Sequence, residues 1–432
     1  MSKFEISIDE WLACVYGDAI ERVTLAQIEL KLGGRSLIQL EDRVARTNRP
    51  FANLSAYHLA IWLVGNWWRL RWEPERKGLE WRMSHSLAAI GEGYVWPGMT
   101  MASDGEQIRV QVRPTRGEEW EPVRYLDSWD VSFPAVDFET ALDSFIEMVL
   151  ARLASCRIAS TELHQLWAEL HEERLDPDLA SVRRLEALLG LDAGTAPDPL
   201  IDDLLVDAQH EGRTAVDEVV AGFAGATREV LGQVDDSIMR HGTRLSNERV
   251  RGLAAHGDAW RFAGLPWQRA AAAARMARGL WNMDGRPVPN AELAGLVGAN
   301  TTLITGEATY RVPMGAARRV SGDGEAWNAV LRSQQETGRR FELCRLIADG
   351  LLAPDDERLL PVTRAKTSRQ KFQRSFAQEL LCPFDALMER LGGPSRENPP
   401  EDDDIDETAQ YFNVSTRVIE STLANHDILP HF

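Results

Sequence analysis

The stretch Arg339 to Leu352 (RRFELCRLIADGLL) places Arg345, Leu346 and Asp349 at positions i, i+1 and i+4 of a helical pattern. Residues four apart share a helix face, about 5 to 6 Å between Cβ atoms. At that spacing two imidazoles can share one zinc ion while an intervening acid serves as general base. The side chains present do not support this chemistry. Arginine keeps its proton and has no lone pair for a metal, and Leu346 has no proton-accepting group. Asp349 is a single carboxylate, too little to hold zinc. The spacing does allow an ion pair between Arg345 and Asp349, worth roughly a few tenths of a kcal/mol on an exposed face.

Residues elsewhere do not supply a substitute site. His164 and His171 are seven apart, about 10 Å along a helix axis, and His241, His256 and His426 are isolated in sequence. Cys14, Cys156, Cys344 and Cys382 show no C-x-x-C spacing, which reads as reduced thiols of a cytoplasmic protein rather than a disulfide framework or zinc cluster. There is no G-x-S-x-G nucleophile motif and no Walker loop. No catalytic residue, metal or cofactor is expected.

Three pieces in order carry a family resemblance: RRFELCRLIADGLL, then Phe376 to Pro383 (FAQELLCP), then Phe412 to Ser415 (FNVS). Over about residues 265 to 425 the chain resembles the ImmA/IrrE metallopeptidases of bacteria. In that family a helix reads R-F-x-L-A-H-E-x-x-H, a second helix carries an acidic ligand just before F-A-x-x-L-L-x-P, and a closing segment reads F-x-V-S. The positions equivalent to His, Glu and His are then Arg345, Leu346 and Asp349. The upstream part of the second helix, Gln370, Lys371, Phe372 and Gln373, has no carboxylate. The resemblance implies a zincin-like domain whose metal site has been lost, in a protein of regulation, stress response or phage defence. A degenerate cleft of this kind is expected to keep its concave shape and to receive a peptide or partner segment.

Two other features invite binding roles. Ile405 to Leu423 (IDETAQYFNVSTRVIESTL) fits a helix-turn-helix with Ala409, Phe412, Val414 and Ile419 inward and Ser415, Thr416 and Arg417 opening its second helix. The acids Glu401 to Asp404, Asp406 and Glu407 precede it and would face phosphates with the wrong sign, so a structural role is favoured. The cluster Trp67, Trp68, Arg69, Arg71 and Trp72 has the composition of a partner-binding or base-stacking surface. Its helical spacing beside Leu63 and Leu70 favours a core position, with Arg69 and Arg71 reaching outward.

These features sit in a chain of 432 residues, long enough for two or three domains. Nine of its fourteen tryptophans, Trp11 through Trp129, precede residue 130. We read residues 1 to 157 as a Trp-rich N-terminal α/β domain, 158 to 245 as an α-helical middle, and 246 to 432 as the metallopeptidase-like domain ending in a helical pair. The expected class is α+β, mostly α. Within it, Ser55 to Arg71 reads as one buried helix, Gln107 to Val112 as a strand, and about Trp327 to Leu352 as a helix. Gly392 to Glu407 reads as a solvated linker.

The formal charge of −18 opposes capture of nucleic acid by the molecule as a whole, although a local basic face is compatible with it. The longest uncharged apolar run, Leu59 to Trp68, falls short of the ~20 residues a membrane span needs. The first residues lack a basic stretch followed by an apolar one, which argues against export. The combined expectation is a non-catalytic, intracellular regulatory or scaffold protein with a protein partner. A DNA-binding regulator using the C-terminal helical pair is the second reading, and a peptidase with a remodelled site the third.

Overall fold

The computed structural model describes residues 3–15, 17–116, 121–257, 260–261, 264–307, 310–320 and 323–430. It is a mixed α+β structure in which helices predominate. The chain forms two compact units, Met1–Ile201 and Asp202–Phe432. Helices read between residues 158 and 245 are shared between them.

In the first unit, alternating apolar residues make β1 (Phe4–Trp11) and β2 (Leu25–Leu32) an antiparallel pair, with Ile6 opposite Leu30. Strand β2 also pairs with β3 (Ala52–Ser55). The segment read as one helix is two: α1 (Ala56–Gly65) and α2 (Trp67–Trp72). Ser55 caps α1 by accepting from the His58 amide at 3.3 Å, and the break falls at Asn66, whose side chain bonds back to Trp62 O at 2.9 Å. Strands β4 (Gly98–Ser103), β5 (Gln107–Arg113) and β6 (Trp129–Pro134) form an antiparallel sheet in the order β6-β5-β4. Helix α3 (Ala135–Ser155) buries Phe138, Leu142, Phe145, Ile146 and Val149 at helical spacing. Helices α4 (Glu162–Leu175) and α5 (Pro177–Leu189) complete the unit, with Leu163 and Leu170 in the same core.

The second unit is built on a four-stranded antiparallel sheet between two helical layers. Its described elements include α6 (Arg213–Phe223), α7 (Thr227–His241), β7 (Thr243–Ser246), α8 (Pro266–Leu280), β8 (Gly315–Val320), β9 (Asp323–Val330), α9 (Glu336–Leu352), β10 (Leu359–Val362), α10 (Ser368–Leu381), α11 (Asp402–Phe412) and α12 (Thr416–Asn425). The strand order is β7-β9-β8-β10. Ala317, Trp327, Ala329 and Leu360 face the core shared with α9 and α10, while Ala316, Val330 and Leu359 face a smaller core with α6 and α7. Trp327 therefore lies on a strand, and the helix expected to start near it begins at Glu336. Strands β8 and β9 carry four alanines with Arg318, Arg319 and Asn328 among them, so the pattern carried little strand signal. A Cβ on Gly350 of α9 would stand 2.3 Å from Trp327 Cη2, so glycine lets helix and strand meet. Alanines 270, 273, 274 and 277 bring α8 close to α10 in the same way. The acidic tract is shorter as a linker than its composition implied. Helix α11 starts at Asp402, where Asp402, Asp403 and Asp404 suit the positive end of a helix.

Candidate functional site

Helices α9 and α10 pack side by side and bring the sequence-predicted positions Arg345, Leu346, Asp349 and Gln370 into one buried region. Leu346 is wholly inside the apolar core. Asp349 is also fully buried, and its charge is met by Arg369, the residue before Gln370. Arg369 Nε and Nη2 donate to the two Asp349 oxygens at 2.6 and 2.9 Å, a two-pronged pair. The remaining Arg369 nitrogen, Nη1, donates to Glu357 Oε2 at 2.8 Å and to Thr214 Oγ1 at 2.7 Å. Gln373 Nε2 adds a bond to Asp349 Oδ1 at 2.7 Å and one to Pro361 O at 3.0 Å.

The ion pair expected between Arg345 and Asp349 is not made. Arg345 Nη2 donates instead to Thr363 O at 2.7 Å and to Gln370 Oε1 at 2.5 Å. Arg369 wins Asp349 because its fork reaches both carboxylate oxygens while its third nitrogen serves Glu357. Gln370 acts as a connector: Oε1 also accepts from the Thr363 amide at 2.9 Å, and Nε2 donates to Pro361 O at 3.1 Å.

Helix α6 closes the region around the edge strand β10. The Thr214 amide and hydroxyl both donate to Glu357 Oε1, at 2.9 and 2.5 Å, and Thr367 Oγ1 donates to Glu218 Oε2 at 2.6 Å. The start of α6 sits tightly on Glu357. Gly212 has φ +106°, and a Cβ there would lie 2.4 Å from Glu357 Cγ. The expectation of an open groove at these positions is thus corrected: charged and amide side chains fill the region and are themselves buried.

Electrostatics follow from that burial. Burial works against the Arg369 charge, but Asp349 and Glu357 hold the guanidinium above the usual arginine range. Burial, with repulsion from Arg374, pushes Arg345 down to about 9. It pushes Arg374 down to about 10. The Glu218 carboxyl is pushed up to about 7 by burial, against the pull of Arg369 and the Thr367 hydroxyl.

The donor set does not fit zinc. Arg345 and Gln370 offer no suitable ligand, both Asp349 oxygens are taken by a fixed cation, and that cation would repel a metal ion. Among the described residues no three His, Cys, Asp or Glu side chains come together as a metal cluster. His164, seven residues from His171, serves the start of α4 through Thr161, with its Nδ1 2.9 Å from Thr161 Oγ1.

The other candidates divide cleanly. Ala409, Phe412, Val414 and Ile419 are buried as the helical-pair reading requires, and the turn uses Asn413 at φ 50°. Ser415 and Arg417 are exposed and Thr416 is half-buried. The pair is tied into its unit by Arg340 Nε, which donates to Asn413 O at 2.9 Å, and by Gln378 Nε2, which donates to Ser421 Oγ at 2.7 Å. In the first unit Trp67 and Trp68 are core residues, and Trp68 Nε1 donates to Glu173 at 2.6 Å.

Arg69 does not reach outward. It is buried, paired with Glu73 at 2.8 Å and Asp192 at 2.9 Å. Arg71 and Trp72 are half-buried. Arg71 and Arg184 each stack on the Trp72 ring, 3.9 and 4.1 Å from its centre. Arg76 completes this cluster by donating to Leu188 O and, at 3.0 Å, to Leu189 O. His85 lies beneath it, bonded through Nδ1 to Trp81 O at 2.7 Å, with Nε2 3.7 Å from Glu73.

Sequence reasoning missed Arg369, Glu357, Thr214, Glu218 and Arg374. The basic stretch Arg364 to Arg374 is the one signal in the sequence that points to them. In comparisons with known proteins, no family model matches the chain, and neither the curated proteins nor the solved structures yield a match. No helix among the described residues is long and apolar enough to cross a membrane.

Proposed function

We propose that the chain is a non-catalytic regulatory or scaffold protein whose C-terminal unit is a metallopeptidase-like domain with its metal site replaced. The observation that carries this reading is the Asp349–Arg369–Glu357 network. Positions that the ImmA/IrrE resemblance assigns to zinc and base lie together in space, and the charge at their centre is a guanidinium. An arginine fixed between two carboxylates neither activates water nor polarises a carbonyl by metal coordination. A folded site filled by an ion-pair network fits a protein that works by binding a protein partner. A place in bacterial stress response or phage defence follows by analogy only.

Affinity purification of the native protein from its own host, with mass spectrometry of what is retained, tests the role. A stoichiometric protein partner supports it. A monomer recovered alone, together with metal-dependent peptide hydrolysis lost on Asp349→Asn, sinks it in favour of a remodelled peptidase.

A DNA-binding regulator is the second reading, favoured by the exposure of Ser415 and Arg417 at the start of α12. Salt-dependent binding of a short duplex, abolished by Arg417→Ala, is what that reading requires.

A further inference from the structure

The segment Thr363 to Arg374 (TRAKTSRQKFQR) holds five basic residues and no acid, in a chain whose formal charge is −18. One of those charges, Arg374, meets a guanidinium from outside the segment, Arg345. Arg345 from α9 donates to Thr363 O, and Arg374 from α10 donates to Ala365 O at 3.1 Å. The two guanidiniums therefore clamp one short stretch, on carbonyls two residues apart. Arg345 is buried, and its Nε has no hydrogen-bond partner.

The carboxylates in whose field Arg345 lies are engaged elsewhere. Asp349, with Glu357, serves Arg369. Glu342 accepts from the Arg332 and Ser333 amides at 2.7 and 3.0 Å. Glu218 takes the Thr367 hydroxyl. Among the described residues neither Arg345 nor Arg374 has a carboxylate within ion-pair distance. Two like charges drawn together in a partly dry setting, one with an unused N–H, lack a counter-anion.

We propose that Arg345 and Arg374 receive the phosphate group of a small phosphate ester beside the Thr363–Ala365 stretch. The planar guanidinium fork matches phosphate oxygens, and two unneutralised guanidiniums match a dianion better than a carboxylate's single charge. Arg364, the exposed residue between the two carbonyls, extends the positive surface. The strongly negative molecule as a whole opposes a long polyanion, which favours a small ester over nucleic acid. This inference stands on the geometry and is independent of the regulatory reading above.

The test is calorimetric titration of the full chain with inorganic phosphate, AMP, acetate and a short DNA duplex, at constant ionic strength set with chloride. Saturable 1:1 binding of phosphate and AMP is expected, weakened at least tenfold by Arg374→Gln and lost in Arg345→Gln. Arg374 is the more accessible of the two, so Arg374→Gln decides the matter if the Arg345 variant fails to fold. Absence of phosphate binding, or unchanged binding by Arg374→Gln, overturns the proposal. So does acetate binding as tightly as phosphate, or a duplex binding more tightly than AMP.

Discussion

Each unit buries arginines against carboxylates, and the two clusters close differently. In Met1–Ile201, Arg69 is shared by Glu73, which is buried, and Asp192, whose carboxylate is largely in water. Arg76 is satisfied by two carbonyls at the end of α5, and His85 Nε2, buried without a hydrogen-bond partner, belongs to a neutral ring. In Asp202–Phe432, Arg369 is bound by two buried carboxylates, while Arg345 and Arg374 have none within pairing distance. Buried charge alone does not mark a site. What sets the second cluster apart is that two neighbouring guanidiniums lie there without a paired carboxylate, which is the basis of the phosphate proposal above.

The sharpest way to break this comparison is to remove each keystone. Arg369→Gln strands Asp349 and Glu357 inside the unit and is expected to cost about 3 to 5 kcal/mol of stability. Arg69→Gln strands only Glu73, since Asp192 is already solvated, and about 2 to 3 kcal/mol is expected. Urea denaturation of the two variants beside the parent measures both. Equal losses would mean that the clusters are alike after all.

Acidity separates the units by the sign of their response. Glu218 is raised from its ordinary 4.5 to about 7, so the folded state holds a proton that the unfolded chain releases. Its contribution is most favourable below pH 4.5 and is lost as pH rises to 7, on the order of 3 kcal/mol in all. His85 behaves oppositely. Burial lowers it from 6.5 to about 4, so its contribution is intact above pH 6.5 and is lost as pH falls toward 4, by a similar amount. Hydrogen exchange followed at pH 5 and pH 8 should therefore show α6 better protected at pH 5, and α2 and the Leu79–His85 helix better protected at pH 8. Glu218→Gln should remove the first dependence and leave the second. Parallel shifts in both units would count against this assignment of the protons.

The smallest effect is expected at the C-terminal pair. Arg417 is exposed, so Arg417→Ala should change stability by less than about 0.5 kcal/mol, and on the favoured reading should leave indifference to DNA unchanged. A thermal melt and a duplex-binding assay on this variant sharpen the contrast with Arg369.

The α+β class was legible in the sequence, as were the strand at Gln107 to Val112 and the inward positions of the closing pair. Each rests on periodicity within a single element. The positions Arg345, Asp349, Gln370 and Gln373 were also singled out, and they do meet. What they do there was not legible. Arg369 stands 20 residues from Asp349 and 155 from Thr214, and no local pattern encodes such pairings. The i, i+4 rule offered Arg345 as partner for Asp349 because it sees one helix only, whereas the better fork comes from the next helix. Strands β8 and β9 were missed because alanine and arginine on a sheet give no apolar alternation.

The most direct test of the central claim, that a guanidinium and not a metal holds the charge between Asp349 and Glu357, is elemental analysis of the purified chain combined with a thermal melt before and after chelation. The account predicts well under 0.1 zinc per chain, roughly the background expected of a protein without a three-ligand site, and an unchanged melt. About one zinc per chain, with a melting temperature that falls when the metal is removed, would contradict it.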